Sequence, residues 1–185
     1  LRGGKLRAVV VNAGNANACT GARGMEDARR MARLAAEAVG ASPEEVLVGS
    51  TGIIGHPLPM ENIERGIAHA AARLRRSPDA AEDFARAIMT TDRVPKTAAR
   101  TGRVGTAQVT VAGTCKGSGM IAPHLATMLA YLTTDARISP PALQAALTTA
   151  VDRSFNAVTV DGHTSTNDTV AVLASGTAGG PEIAR

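Results

Sequence analysis

The chain has no tryptophan, one tyrosine (Tyr131) and two phenylalanines (Phe84 and Phe155) among 185 residues. This shortage of rings removes the stacking platforms on which single-stranded nucleic acid is held. It also forces any core to be built from Ala, Val, Ile, Leu and Met. Cysteine is nearly as scarce. Cys19 and Cys115 stand in unrelated contexts, which excludes a disulfide scaffold and a zinc knuckle and reads as two reduced, packed thiols in a cytoplasmic protein. No apolar run reaches the roughly 18 residues of a membrane span, and no signal peptide opens the chain. Charge of one sign is also in short supply: 20 basic against 16 acidic residues leave a net +4. The densest basic stretch, Arg73 to Arg76, falls at the end of a predicted helix, where cations complement the helix dipole. Without a continuous basic stripe, nucleic acid is not an expected partner. Small carboxylates are better suited to so modest a positive charge. The chain opens on Leu1 and stops at Ile183, Ala184 and Arg185 just after a Gly-rich turn, which reads as a piece of a longer polypeptide.

What is present is ample aliphatic content, 44% apolar, enough to bury a sizeable core as one domain or a pair of packed lobes. Lys5 to Asn12 reads as a buried strand, followed by a loop of Asn and Gly residues up to Gly21. Ala28, Met31, Ala32, Ala35 and Val39 recur at helical spacing and predict a helix from about Met25 to Val39. Val46 to Val48 reads as a short strand entering a turn, Gly49 to Gly55, with three glycines in seven residues. A second helix starts near Pro59 with Ile63, Ile67, Ala71 and Leu74 on one face. A third starts at Ser77 and Pro78 and presents Phe84, Ile88 and Met89. Val104 to Val111 alternates like a strand, with Val109 and Val111 on one face, and leads to a second glycine-rich loop from Lys116 to Gly119. An apolar run from Thr127 to Leu132, a helix announced by Ser139, Pro140 and Pro141, and a strand from Thr169 to Ala174 complete the reading. Strands, Gly-rich turns and helices in this alternation predict α+β layers, not a bundle.

Three features could carry chemistry: the Gly49 to Gly55 turn, the Lys116 to Gly119 loop, and a threonine heading an apolar run. Each has a plain structural reading as a tight turn or a β-former. A Walker-type phosphate loop is excluded, because Gly113, Lys116 and Gly117 do not form its spacing. His56, His69, His124 and His163 could serve a Ser-His-Asp hydrolase, yet no G-x-S-x-G elbow accompanies them. The same histidines lack a ligand pair at i, i+4 spacing, so no metal is expected.

The string from Lys116 through Gly117, Ser118, Gly119, Met120, Ile121, Ala122, Pro123, His124, Leu125 and Ala126 to Thr127, Met128 and Leu129 resembles the self-cleavage motif of the ornithine acetyltransferases, also called glutamate N-acetyltransferases. Further segments resemble that family in the same order: Val10 to Gly21, Ser50 to Gly55, Ile88 to Asp92, Thr133 to Ala136, and Ser165 to Thr169. The resemblance spans nearly the whole chain. His124 and Leu125 depart from the family's more common Asn-Met, outside the reacting bond. The family's chains continue past Arg185, where further substrate contacts lie, and also extend further at the N-terminus.

The resemblance implies stacked β-sheets flanked by helices in an αββα arrangement, and division at the Ala126–Thr127 bond into residues 1–126 (an α-chain) and 127–185 (the start of a β-chain) of the same globular unit. It implies Thr127 as nucleophile, Thr51 and Gly52 as the oxyanion hole, and Thr90, Lys116 and Thr127 as substrate-binding residues. Thr91 adjoins Thr90 in that motif, so the threonine contact is fixed only to within one residue. The implied reaction belongs to arginine biosynthesis: acetyl passes from N-acetylornithine to Thr127 and then to glutamate, with no cofactor and no metal. The resemblance leaves acetyl-CoA open as a further donor, and implies an assembly of two α- and two β-chains. Two alternatives remain at this point: a self-cleaving aminopeptidase-like amidohydrolase, and a non-catalytic module that binds small anions on backbone N–H groups.

Overall fold

The computed structural model describes residues 4–121 and 128–184. The chain divides into two compact units, Leu1–Thr90 and Thr91–Arg185. In the first unit, strand β1 (Ala8–Asn15) pairs in parallel with β2 (Val46–Ile53), in a register that sets Ala8 opposite Val46 and Gly14 opposite Gly52. The crossover between them carries helix α1 (Gly21–Val39), as parallel strands require. Ala32, Ala35 and Ala36 of α1 pack against Ala8, Val10 and Val46 of the sheet, together with Ile67 of helix α2 (Met60–Ala72). Small side chains at this contact bring helix and sheet close, as expected of a core without rings. Helix α3 (Pro78–Ala87) follows.

Local chemistry explains the helix ends. Gly40 closes α1 at φ 65°, donating its N–H to the carbonyls of Ala36 and Glu37, which is the left-handed C-terminal turn glycine favours. Ser77 accepts from the Ala80 N–H at 3.2 Å and Pro78 holds the first helical position of α3, as predicted. Helix α1 begins four residues before the expected Met25. Leu74, expected on the apolar face of α2, lies beyond its end and is 68% exposed. The basic run therefore follows α2, with Arg75 paired to Asp83 at 2.9 Å.

The second unit holds a four-stranded sheet in the order β3-β4-β5-β6. Strands β3 (Lys96–Val104), β4 (Ala107–Lys116) and β5 (Leu129–Thr134) are antiparallel neighbours, and β6 (Thr169–Ala174) is parallel to β5. Helix α4 (Pro140–Asp152) precedes β6 and starts at Ser139, whose Oγ accepts from the Ala142 N–H at 3.4 Å. Sheets with flanking helices in both units give the α+β class read from the sequence.

Two strand expectations need correction. The single strand expected at Val104 to Val111 contains a hairpin turn at Gly105 and Thr106, with Gly105 at φ 59°, the positive value such tight loops demand. Val109 and Val111, two apart in β4, do lie on one face as expected, with Val111 42% exposed. Strand β2 runs on through Gly49 to Ile53 instead of turning at Gly49, because pairing with β1 satisfies its backbone groups.

Candidate active site

The first unit gathers polar groups where β1 and β2 end, the place from which loops of a parallel sheet present ligand-binding groups. Thr51 and Gly52 are the sixth and seventh residues of β2, opposite Ala13 and Gly14. Thr51 is 2% exposed. Around them, side-chain amides and a hydroxyl bond the residues at the strand ends. Asn12 Nδ2 and Ser50 Oγ both donate to the Asn15 carbonyl, at 2.7 and 3.2 Å. Ser50 Oγ accepts from the Asn17 N–H at 2.7 Å, and Asn15 Nδ2 donates to the His56 carbonyl at 3.0 Å. Asn12 Oδ1 is buried with no partner among the described residues. These bonds tie together the residues on either side of Thr51 and Gly52 and the end of β1 opposite them.

The second unit buries a lysine. Lys116 is the last residue of β4, paired with Leu129, and is 1% exposed. The sequence reading put it in a glycine-rich loop; in the structure that loop begins at Gly117. Burial pushes its ammonium below the usual lysine range, while Asp92 and Asp168 pull it back up and Lys96 adds to the lowering. Asp92, itself buried, accepts from Lys96 Nζ and from the Gly117 N–H at 2.8 Å, so the residue after Lys116 is anchored. Thr91 Oγ1 lies 2.6 Å from Ser118 Oγ of the same loop. Thr90 is exposed and falls at the end of the first unit. Burial also pushes the Tyr131 phenol up to about 12 and the Cys115 thiol upward.

Ala126 and Thr127, with His124 and Leu125, lie outside the described residues. The chain on either side of 122–127 is held by two aspartates that had no role in the sequence reading. Asp161 accepts from the N–H groups of Met120 at 2.6 Å and Ile121 at 3.0 Å. The Met120 bond comes first in holding its carboxyl below the usual range. Met120 sits at φ 53°, a left-handed conformation that costs a non-glycine residue free energy. Asp168 accepts from the Met128 N–H at 2.6 Å. Burial raises its carboxyl pKa against the pull of the Met128 and Ser165 amides and of Lys116. Asp168 Oδ2 is buried with no partner among the described residues. Asp168 stood in the sequence reading only within the polar run Ser165 to Thr169, and Asp161 was not singled out.

Of the histidines, His69 lies in the last turn of α2, His56 offers its carbonyl to Asn15, and exposed His163 has Nδ1 3.7 Å from Asp161. Among the described residues no helix is long and apolar enough to cross a membrane.

Fold and site together define an α+β protein whose buried polar groups collect at strand ends. The ArgJ family model matches residues 1–185, and the chain belongs to that family. It is similar to the arginine biosynthesis bifunctional protein ArgJ of Symbiobacterium thermophilum, 59% identical over 180 residues that cover 97% of this chain and 44% of that one. The protein of the same name in Geobacter sulfurreducens is 56% identical, over 97% of this chain and 45% of that one. The chain thus spans less than half the length of these relatives. Among solved structures, ArgJ of Bacillus halodurans matches with a TM-score of 0.58 and 42% identity, over 65% of this chain and 61% of that one. Ornithine acetyltransferase of Mycobacterium tuberculosis, solved in complex with ornithine, matches with a TM-score of 0.53 and 35% identity, over 62% and 61%.

Proposed function

We propose that this chain carries the self-cleaving, acetyl-transferring core of a glutamate N-acetyltransferase of arginine biosynthesis. The observation that carries the reading is Lys116, a lysine buried to 1% exposure at a strand end, in a chain matched along its whole length by the ArgJ family. A buried ammonium is costly to keep, and Asp92 and Asp168 offset part of that cost. Such a group suits the capture of a ligand carboxylate, here the α-carboxylate of ornithine or glutamate.

In the proposed first stage, the Thr127 hydroxyl attacks the Ala126 carbonyl carbon. The C–N bond breaks, the nitrogen takes up the proton as an amine, and an ester replaces the amide. Water then hydrolyses the ester, leaving a carboxylate on Ala126 and a free hydroxyl and amine on Thr127. An unperturbed α-amine has a pKa of about 7.7 to 8.0 and can act as general base toward its own hydroxyl near neutrality. In the second stage Thr127 takes acetyl from N-acetylornithine, ornithine departs, and glutamate accepts the acetyl group. Thr51 and Gly52 supply the oxyanion donors, and Thr90 or its neighbour Thr91 contacts the amino-acid substrate. Acetyl-CoA as a further donor, an assembly of two α- and two β-chains, and a cytoplasmic location belong to the same proposal.

The test is mass spectrometry of the purified full chain with an acetyl-transfer assay. A new N-terminus at Thr127 and transfer from N-acetylornithine to glutamate are expected. An intact, fully active chain would sink the reading, and cleavage with peptide hydrolysis but no transfer would turn it toward an amidohydrolase.

The Lys116 ammonium gives a pH prediction. Its folded pKa is lowered, so its charge is lost as pH rises through a value below the ordinary 10.5. KM for the amino-acid substrate should climb about tenfold per pH unit above that point. In the same window the unfolded chain binds more protons, so stability from this group rises with pH. A KM flat up to the ordinary lysine range would remove Lys116 from carboxylate binding.

A further inference from the structure

We propose that Asp161 and Asp168 form a two-point clasp, gripping the main chain immediately before and immediately after residues 122–127 and so positioning the Ala126–Thr127 bond for self-cleavage. The clasp deepens the reading above and rests on it.

Each end is held reciprocally. Before the segment, Asp161 Oδ2 accepts from Met120 N and Oδ1 from Ile121 N, while the Ile121 carbonyl accepts from Val160 N at 2.7 Å and Thr159 Oγ1 at 2.9 Å. After it, Asp168 Oδ1 accepts from Met128 N, and the Met128 carbonyl accepts from Thr169 N at 3.0 Å. Met128 N is the amide that directly follows Thr127 in the chain. Carboxylate-to-amide bonds are the shorter, stronger class of hydrogen bond. All the partners come from one stretch, residues 159–169, so both ends of 122–127 are referred to a single support.

Self-cleavage requires a hydroxyl and the preceding carbonyl carbon to meet in a near-attack geometry, and holding both ends of a short segment raises the frequency of such geometries. The role is positioning: the carboxylates act through the amides they bind. It predicts that the acceptor oxygens matter more than the charge.

The experiment follows cleavage over time in the freshly synthesised full chain, by denaturing gel and mass spectrometry, with thermal melting alongside. Asp168→Ala, which loses one charge-assisted hydrogen bond to the segment, is expected to slow cleavage about tenfold, Asp161→Ala, which loses two, at least as much, and the double variant more. Asp168→Asn keeps the one acceptor that Met128 N uses and should stay within about threefold of wild type, whereas Asp161→Asn keeps only one of two acceptors, sets an NH2 against a backbone N–H, and should be slowed toward the alanine variant. Asp152→Ala, which loses the 2.9 Å bond from Asn156 Nδ2 in the same unit, should cleave normally. Alanine variants that cleave at the wild-type rate would overturn the clasp, as would a folded Asp168→Asn variant as slow as Asp168→Ala. Should the alanine variants not fold, Asp161→Asn decides, since it turns one used acceptor into a donor: cleavage at the wild-type rate would overturn the clasp. A wild-type chain that never cleaves, or a Thr127→Ala chain that does, overturns the self-cleavage reading and the clasp with it. Cleavage that needs Thr127 but ignores both aspartates overturns the clasp alone.

Discussion

Thr127→Ala is expected to leave the full chain in one piece and to reduce acetyl transfer to background. Attack on the preceding carbonyl needs a β-hydroxyl on the residue after the scissile bond, and alanine has none. The same hydroxyl is the acetyl carrier in the proposed transfer, so one substitution removes two activities. Loss of a covalent nucleophile typically lowers the rate on the order of 10⁶-fold. Thr127→Ser keeps a hydroxyl and should cleave and transfer, which separates chemistry from folding. Intact mass and turnover from N-acetylornithine to glutamate provide the readings. An alanine variant that is cut after Ala126, or that transfers acetyl at the wild-type rate, would remove Thr127 from the mechanism.

Gly52→Ala is the second change with a large expected effect. Gly52 sits at φ 132°, which side chains rarely tolerate. A Cβ there would lie 2.2 Å from the Gly14 carbonyl carbon, 2.4 Å from Asn15 N and 2.5 Å from Gly14 O. These are backbone atoms of the paired strand, so no side chain can swing aside and β1 must move. Overpacking and a disallowed dihedral each cost about 1–3 kcal/mol, which should lower Tm by about 10 °C or more. If Gly52 belongs to the oxyanion hole, displacing it should also reduce kcat by about 10²- to 10³-fold. Gly55→Ala is the comparison: φ is 86°, but nothing lies within 4 Å of the added carbon, so only the dihedral cost of about 1 kcal/mol applies. Equal melting points for the two variants would contradict the close approach of β1 and β2.

Helix starts were legible because they are written in short-range chemistry. Ser77-Pro78 and Ser139-Pro140 each place a hydroxyl acceptor before a residue that needs no N–H partner, and both open helices. The bounds of β6, Thr169 to Ala174, followed from an apolar run entered through a polar turn. Strand β3 was not legible. Its sequence from Lys96 to Val104 is basic and lacks apolar alternation, and eight of its nine residues are exposed. It is an edge strand held by its ladder to β4, and charged side chains are what such edges carry. Gly49 to Ile53 misled in the opposite direction, since glycines that suggest a turn here allow β2 to press against β1.

The sequence by itself determined the α+β class, the Ser77 and Ser139 helix caps and the family likeness, because each rests on side-chain identity or spacing along the chain; the residues of the proposed chemistry were named only through that likeness. Tertiary structure alone decided that Lys116 is buried among carboxylates, that Asn12, Asn15, Asn17 and Ser50 brace the strand end carrying Thr51 and Gly52, and that Asp161 and Asp168 hold the chain on both sides of residues 122–127. Most of these contacts join residues far apart in the chain, 33 positions for Asn17 with Ser50, 41 for Met120 with Asp161 and 40 for Met128 with Asp168. No local periodicity encodes them; they form only when strand pairing brings the two stretches together.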